Sequence, residues 1–239
     1  CFEELRDKES QIFGLNVTVP YKETVLRYLD VLTPFAKKVG AVNTIVINEE
    51  RKLIGYNTDA PGFMAHLSEL KFETTGKRIA ILGAGGSARA ILATLCMINE
   101  RPESIKIYNR TTSRVSHLLS DLEQRIDLSI VEAVMSVEDL NIELVDLLIN
   151  TTSMGMNKSD PCPIDGDLLH SNMLVYDLVY TPPETDFLRM AKEAGARTSN
   201  GLGMLYYQGV LSFQHWANIQ LDDDVKHKMR KSLEEGAGA

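Results

Sequence analysis

The sequence Gly83-Ala84-Gly85-Gly86-Ser87-Ala88 stands directly behind the apolar run 78–82 and ahead of a helix-like segment reaching about residue 98. A glycine-rich turn between a buried strand and a helix constrains the fold strongly, because it belongs to a parallel sheet with crossover helices. Glycines 83 and 85 allow a tight turn and a close backbone approach, and the small Ala88 permits helix–strand packing. The free amides at the helix start then face an anion. The other phosphate-loop pattern, ending in Gly-Lys-Ser/Thr, is absent, which argues against a kinase or an ATPase. The turn alone would equally suit a flavin or a methyl donor.

The turn sits near residue 80 of a 239-residue chain, so a separate region precedes the nucleotide domain. In that region Phe2, Leu5 and Ile12 suggest a short amphipathic helix, and 15–19 reads as a strand ended by Pro20. Residues 23–32 read as a helix with Val25, Leu26 and Leu29 inward, and Pro34 starts another. Two strands, 41–47 and 53–56, are joined by the polar segment 48–52 in a hairpin-like connection. A helix follows over about 61–70, with Phe63, Met64 and Leu67 packing, and 74–77 marks a boundary.

Beyond the turn the pattern alternates. Strands are expected at 104–108, 129–131, 144–149 and 174–178, and helices at 113–122 and 185–194. This is a doubly wound, Rossmann-like parallel sheet, whose ligands belong beyond the carboxyl ends of the strands. A last helix, 202–216, is expected to return to the first region, with Gly201 and Gly203 easing the crossing; Asp222-Asp223-Asp224 would cap a terminal helix. The expected fold class is therefore α/β, with domains over 1–75 (substrate and catalysis), 76–200 (nucleotide) and 201–239 (C-terminal helices completing the first).

Composition narrows the function classes. The 44% hydrophobic content supports real cores, and the net charge of −8, from 25 basic and 33 acidic residues, argues against nucleic acid as a partner. No segment offers ~18 consecutive apolar residues, so no membrane span is expected. Cys1, Cys96 and Cys162 have no paired spacing, and His66, His117, His170, His215 and His227 are dispersed. Neither a disulfide framework nor a metal site is expected, and a reducing cytoplasmic setting follows.

The end of the second nucleotide-domain strand carries Asn109-Arg110-Thr111-Thr112-Ser113-Arg114. An NAD site usually places a carboxylate there for the ribose hydroxyls. Here Arg110 and Arg114 can grip a 2′-phosphate through forked, charge-assisted hydrogen bonds, with Thr111 adding a hydroxyl, which favours NADP. The other reading is a helix start with ordinary surface arginines. Asn150-Thr151-Thr152-Ser153-Met154-Gly155-Met156 emerges on the same edge. Its polar groups can meet ribose or substrate, or they can form a loop of self-bonding hydroxyls; Met154 and Met156 would pack.

In the first region, Asn16-Val17-Thr18-Val19-Pro20-Tyr21-Lys22 presents polar side chains at a proline-stiffened bend. Lys22 can move protons if a carboxylate stands beside it, and otherwise it is a solvent lysine at a helix start. Asn43 and Asp59 can bind the hydroxyls of a polyol, and a Lys22–Asp59 pair can deprotonate an alcohol while hydride leaves its carbon. Asp59 can instead cap the helix that follows it. Tyr180 and Gln208 are expected across the cleft, whereas Tyr206, Tyr207 and Trp216 fit ordinary helix packing.

These stations, in order, resemble the shikimate dehydrogenase family: residues 16–22, Ala41-Val42-Asn43-Thr44, Asn57-Thr58-Asp59, the glycine turn, Asn109-Arg110-Thr111, 150–156, 177–183 and 201–209. The resemblance covers nearly the whole chain. It implies reversible interconversion of 3-dehydroshikimate and shikimate with NADPH and NADP⁺, in aromatic amino-acid biosynthesis. By the same resemblance Lys22 and Asp59 are catalytic, and Asn16, Thr18, Asn43, Tyr180 and Gln208 hold a small polyol carboxylate. Gly83 through Ala88, Asn109, Arg110, Thr111, Arg114, Thr151, Thr152, Ser153, Met154, Gly201 and Met204 hold NADP.

Family members typically open with a further strand–helix portion carrying a serine-containing, carboxylate-recognising segment, and no counterpart stands before Asn16. The expectation is a substrate domain lacking that portion, with nucleotide binding kept and substrate binding weakened. Two other readings follow: an NAD-dependent quinate/shikimate dehydrogenase, and a catalytically impaired dinucleotide-binding member. A monomer or weak homodimer is expected.

Overall fold

Two sheets organise the chain in a computed structural model that describes residues 2–157 and 159–238. Cys1, named among the cysteines above, lies outside the described residues; Cys96 and Cys162 are free thiols. The elements in order are α1 (Phe2–Leu5), β1 (Gly14–Asn16), β2 (Val31–Leu32), α2 (Pro34–Val39), β3 (Thr44–Ile47), β4 (Leu53–Tyr56) and α3 (Asp59–Glu69). They continue with β5 (Arg78–Leu82), α4 (Gly86–Met97), β6 (Ser104–Tyr108), α5 (Thr112–Glu123), β7 (Val131–Ala133) and β8 (Leu147–Asn150). Last come β9 (Leu174–Asp177), α6 (Asp186–Glu193), β10 (Arg197–Ser199), α7 (Leu202–Ala217) and α8 (Asp223–Ala237).

The larger sheet has six parallel strands in the order β10-β9-β8-β5-β6-β7, the doubly wound topology that the glycine turn demanded. Its central strands β5, β8 and β9 are buried on both faces, as parallel strands under crossover helices must be. Ile79, Ile81, Leu147, Ile149 and Tyr176 point to one core, which also takes Phe63 and Leu67 of α3. The alternate residues Ala80, Leu82, Leu148 and Val175 point to a second core under α6. α4 lies between the sheet and α3, and every residue from Ala88 to Cys96 is buried.

The smaller sheet is mixed, in the order β1-β3-β4-β2, with β1, β3 and β4 antiparallel and β2 parallel to β4. The hairpin turn closes as expected: the Asn48 carboxamide oxygen accepts from the Lys52 backbone N–H at 2.8 Å. α7 packs against α3 and β3, so the chain returns to its beginning after the large sheet is complete. The terminal helix α8 is capped by Asp222, whose carboxylate accepts from the Val225 N–H at 2.8 Å.

Several expectations shift. The helix read over 23–32 is a single 3₁₀ turn, Thr24–Tyr28, followed by β2. Asp30 diverts the chain: its N–H donates to the Leu53 carbonyl and its carboxylate accepts from the Leu53 N–H, so Val31 and Leu32 pair with β4. β1 is shorter than 15–19, because its pairing with β3 ends at Asn16 opposite Thr44. Ile12 lies outside α1 and is exposed. The strand read at 129–131 begins at Val131, since Asp127 turns the chain by accepting from Ser129. Leu144, the first residue of 144–149, belongs to a 3₁₀ turn, Ile142–Leu144, and the strand begins at Leu147. β10, which the sequence reading missed, has only three residues.

Among the described residues no helix is long and apolar enough to cross a membrane, and no cluster of three or more His, Cys, Asp or Glu could hold a metal.

Candidate active site

Side chains from four separate stretches of sequence meet in one buried polar cluster. Lys22 follows the bend after β1, and its Nζ donates to Asp59 Oδ2 at 2.7 Å. Both are buried, at 8% and 5% exposure, so little water screens the pair. The second carboxylate oxygen of Asp59 accepts from Asn43 Nδ2 at 3.0 Å. Asp59 does not cap α3. That task falls to Asn57, whose Oδ1 accepts from the Ala60 N–H at 3.2 Å while its Nδ2 donates to the Ala41 carbonyl. The carboxylate of Asp59 is thereby left for Lys22 and Asn43.

Asn43 is the hub of the wall. Its Nδ2 donates to Thr58 Oγ1 at 2.8 Å and approaches Gln208 Oε1 at 3.3 Å, and its Oδ1 accepts from the Thr58 N–H at 2.7 Å. Gln208 reaches it because α7 and α3 pack without a spacer: a Cβ on Gly62 would stand 2.8 Å from the Gln208 backbone nitrogen. Beside them the hydroxyls of Thr44, Thr58 and Ser212 form a ring with spacings of 2.8 to 3.1 Å. Asn16 Nδ2 joins it, donating to the Asn43 carbonyl, Thr44 Oγ1 and Ser212 Oγ at 3.0 to 3.2 Å.

The sequence reading missed Thr44, Thr58 and Ser212 as wall residues. Ser212 stands one helical turn beyond Gln208 and so shares its face, a spacing that could have found it. Thr18 is exposed with no side-chain hydrogen bond among the described residues, and Tyr180 is exposed likewise.

The glycine turn adjoins this cluster. Lys22 Nζ lies 3.3 Å from Ser87 Oγ in the first turn of α4, and a Cβ on Gly86 would stand 3.2 Å from Lys22 Cβ. Gly83 holds a φ of +112°, and a Cβ there would stand 2.4 Å from Thr151 Oγ1. Gly85 differs: nothing lies within 4 Å of the position a Cβ would take. α4 also has no side-chain cap on its first amides. Open space over uncapped amides at a helix N-terminus is the cradle that a pyrophosphate requires. Arg110, Thr111 and Arg114 are exposed beyond β6, and among the described residues neither arginine has a carboxylate partner. Asn109 is turned inward, its Nδ2 donating to the Thr111 carbonyl at 2.9 Å.

In the loop after β8, Thr151 Oγ1 donates to the Leu82 carbonyl at the end of β5 and Thr152 Oγ1 to Asn150 Oδ1, both at 2.7 Å. Ser153 and Met156 are exposed, and Met156, expected to pack against the cofactor or the core, lies outside the core. Asp177 anchors the loop from below. It is fully buried and accepts from Asn150 Nδ2, the Val179 N–H and Thr185 Oγ1. Burial pushes its carboxyl above the usual range, against those hydrogen bonds. Gly201 and Met204 occupy packing positions: a Cβ on Gly201 would stand 2.1 Å from the Leu178 carbonyl oxygen, and Met204 belongs to the core.

His66 is buried with its Nδ1 2.6 Å from the Tyr176 hydroxyl, and burial holds the imidazole below its ordinary range. Burial pushes the Cys96 thiol up to about 12, so it is no nucleophile at neutral pH. Trp216 packs as expected, lying over Gly14 and donating Nε1–H to the Ile45 carbonyl at 3.0 Å.

Comparison with known proteins places this geometry among relatives. A family model described as the shikimate dehydrogenase substrate binding domain matches residues 1–45. The shikimate dehydrogenase (NADP(+)) of Carboxydothermus hydrogenoformans is 41% identical over 210 residues, which are 86% of this chain and 72% of that protein. The crystal structure of shikimate dehydrogenase from Aquifex aeolicus superposes with a TM-score of 0.81 at 35% identity, covering 93% of this chain and 78% of that one. Quinate dehydrogenase from Corynebacterium glutamicum in complex with NAD superposes at 0.83 with 30% identity, over 94% and 78% of the two chains.

Proposed function

The chain belongs to the shikimate dehydrogenase family, and we propose that it reversibly interconverts shikimate and 3-dehydroshikimate using NADP. The observation that carries this reading is the buried Lys22–Asp59 pair, set in a wall of hydroxyl and carboxamide groups directly beside the glycine turn. A proton-transfer pair, a polyol-binding wall and a phosphate cradle are the three parts that alcohol oxidation on a nicotinamide needs in one place.

When bound, NADP supplies the acceptor or donor of the hydride. The chain's own residues manage everything else. In the reductive direction the Lys22 ammonium gives a proton to the carbonyl oxygen of 3-dehydroshikimate, and in the oxidative direction Nζ takes it from the hydroxyl. Asp59 holds Nζ in place and balances its charge, and Asn43 fixes the Asp59 carboxylate from the other side. Asn16, Thr18, Asn43, Tyr180 and Gln208 bind the substrate, joined by Thr44, Thr58 and Ser212. Backbone amides of the turn and of α4 receive the pyrophosphate, and Arg110 and Arg114, with Thr111, receive the 2′-phosphate. Thr151 and Thr152 contribute through loop shape and Ser153 through its hydroxyl.

The domain division follows the same reading: residues 1–75 and 201–239 form the substrate unit and 76–200 the nucleotide unit. So do a monomeric or weakly dimeric state, a small polyol carboxylate as the partner, independence from nucleic acid and membranes, and a cytoplasmic location. NAD-dependent quinate oxidation is the competing reading, and the absence of a carboxylate in Asn109-Arg110-Thr111 at the end of β6 speaks against it. Steady-state assays of the purified protein decide between them. Shikimate with NADP⁺ should give saturable turnover exceeding that of quinate with NAD⁺; the reverse order would overturn the reading.

A further inference from the structure

Arg89 lies in α4, one turn past the glycine turn, and is 2% exposed. Its guanidinium reaches out of the large sheet's layer and holds three other parts of the chain. Nη2 meets Glu23 Oε2 at 3.1 Å, Nη1 meets Asp121 Oδ2 of α5 at 2.5 Å, and Nη1 also donates to the Val39 carbonyl at 3.5 Å. Arg125 extends the cluster, pairing with the other oxygen of Asp121 at 2.9 Å and donating to the Lys37 carbonyl at 2.8 Å. Two guanidinium groups thus sit on the last carbonyls of α2, where positive charge is favoured.

The places where this cluster grips are the roots of the active site. Glu23 directly follows Lys22. Val39 leads through Gly40, in a left-handed conformation at φ +71°, to Asn43. The two segments are themselves joined, since the Val42 N–H donates to the Lys22 carbonyl at 2.8 Å. One buried fork therefore clamps both segments that deliver Lys22 and Asn43 to Asp59.

Stability is a poor explanation for such a group. Its Nε is buried without a hydrogen-bond partner, and a buried ion pair typically gains little over apolar packing. What the planar fork supplies is fixed geometry among three elements. We propose that Arg89 is a positioning residue, which sets Lys22 at its working distance from Asp59 and the glycine turn. The proposal rests on the assignment of Lys22 above.

Arg89→Lys keeps the charge and removes the fork. Because misplacing a reacting group by about 1 Å can cost ~10²-fold, kcat for shikimate oxidation should fall by roughly tenfold or more. The NADPH dissociation constant, titrated by fluorescence, should stay unchanged. The decisive readout is a double-mutant cycle with Lys22→Ala: the loss caused by Arg89→Lys should disappear once no lysine remains to be positioned. A loss that persists undiminished in the Lys22→Ala background would show a merely structural role and overturn the proposal. Glu23→Gln, at a half-exposed position, runs the same cycle if Arg89→Lys does not fold; a kcat equal to wild type would likewise overturn it. Unchanged turnover in Lys22→Ala alone would sink the assignment of Lys22 and the proposal with it.

Discussion

Lys22 crosses Gly86 so closely that a Cβ on the glycine would stand 3.2 Å from the lysine's own Cβ. Lys22 and the glycine turn come from separate parts of the sequence, yet they share a van der Waals boundary. A side chain at position 86 would make the lysine's stem give way by a few tenths of an ångström. The proposed proton-transfer group and the proposed phosphate turn can therefore be separated by substitution.

Lys22→Ala should reduce kcat by roughly 10²- to 10⁴-fold, the usual contribution of a positioned acid/base. NADPH affinity should be retained, because Lys22 touches the turn through its stem and Ser87 alone. Stopped-flow or steady-state kinetics beside a fluorescence titration would show this split; kcat within twofold of wild type, taken as about the scatter of such assays, would reject the lysine as the proton-transfer group.

Two neighbouring glycines should respond in opposite ways. Gly85→Ala meets no protein atom within 4 Å, and residue 85 has φ −96°, so the melting temperature should hold. Its methyl group would instead fill the cradle, raising the NADPH dissociation constant by about tenfold or more. Gly83→Ala puts a Cβ at φ +112° and against Thr151, a strain and overpacking of about 2–5 kcal/mol, and should lower the melting temperature sharply. Thermal shift with and without NADPH separates the two; equal behaviour of both variants would contradict the cradle.

Arg110→Ala should weaken NADPH by about 10- to 100-fold, the worth of a lost charge-assisted hydrogen bond, and leave NADH nearly untouched. The wild-type protein should accordingly prefer NADPH by at least about tenfold. Equal affinities for NADPH and NADH in calorimetric titrations would remove Arg110 and Arg114 from the 2′-phosphate site.

Stability should depend on pH through His66. Burial lowers its folded pKa, with Glu69 opposing and Arg230 reinforcing the shift. A depressed folded value means that the stabilisation is complete above the unfolded pKa of ~6.5 and is lost as pH falls through the folded value. Asp177 runs the other way, because burial raises its pKa and its contribution fades as pH rises. The histidine is isolated by comparing variants: His66→Gln should melt lower than wild type at neutral pH, yet lose less on acidification from about pH 7 to 5. Parallel melting curves for the two proteins across that window would place the dependence elsewhere.

The residues themselves show what could be read in advance. The large sheet was legible because the apolar run 78–82 and the alternating stretch 104–108, with Ile105 and Ile107 inward, match β5 and β6 to the residue, and the glycine turn has a single steric purpose. Residues 23–32 were misread because their apolar spacing fits a helix as well as a turn followed by an edge strand. The choice is made by Asp30 bonding to Leu53, a partner more than twenty positions away. The Lys22–Asp59 pair was legible as a candidate proton-transfer pair, whereas the hydroxyl ring was overlooked, since Ser212 meets Thr44 across 168 positions. Arg89 was invisible among ordinary helix residues, because its partners lie in three other segments.

The packing of α7 against α3 and β3 also fixes an order of events. Gln208 and Ser212 reach Asn43 and Asn16 across 165 and 196 positions, so these are late contacts with a large loop-closure cost. As the chain leaves the ribosome, the glycine turn and its sheet can assemble while the polar cluster around Asn43 still lacks one side. The nascent protein would thus hold a nucleotide before it can hold the molecule it transforms, and competence arrives with the penultimate helix.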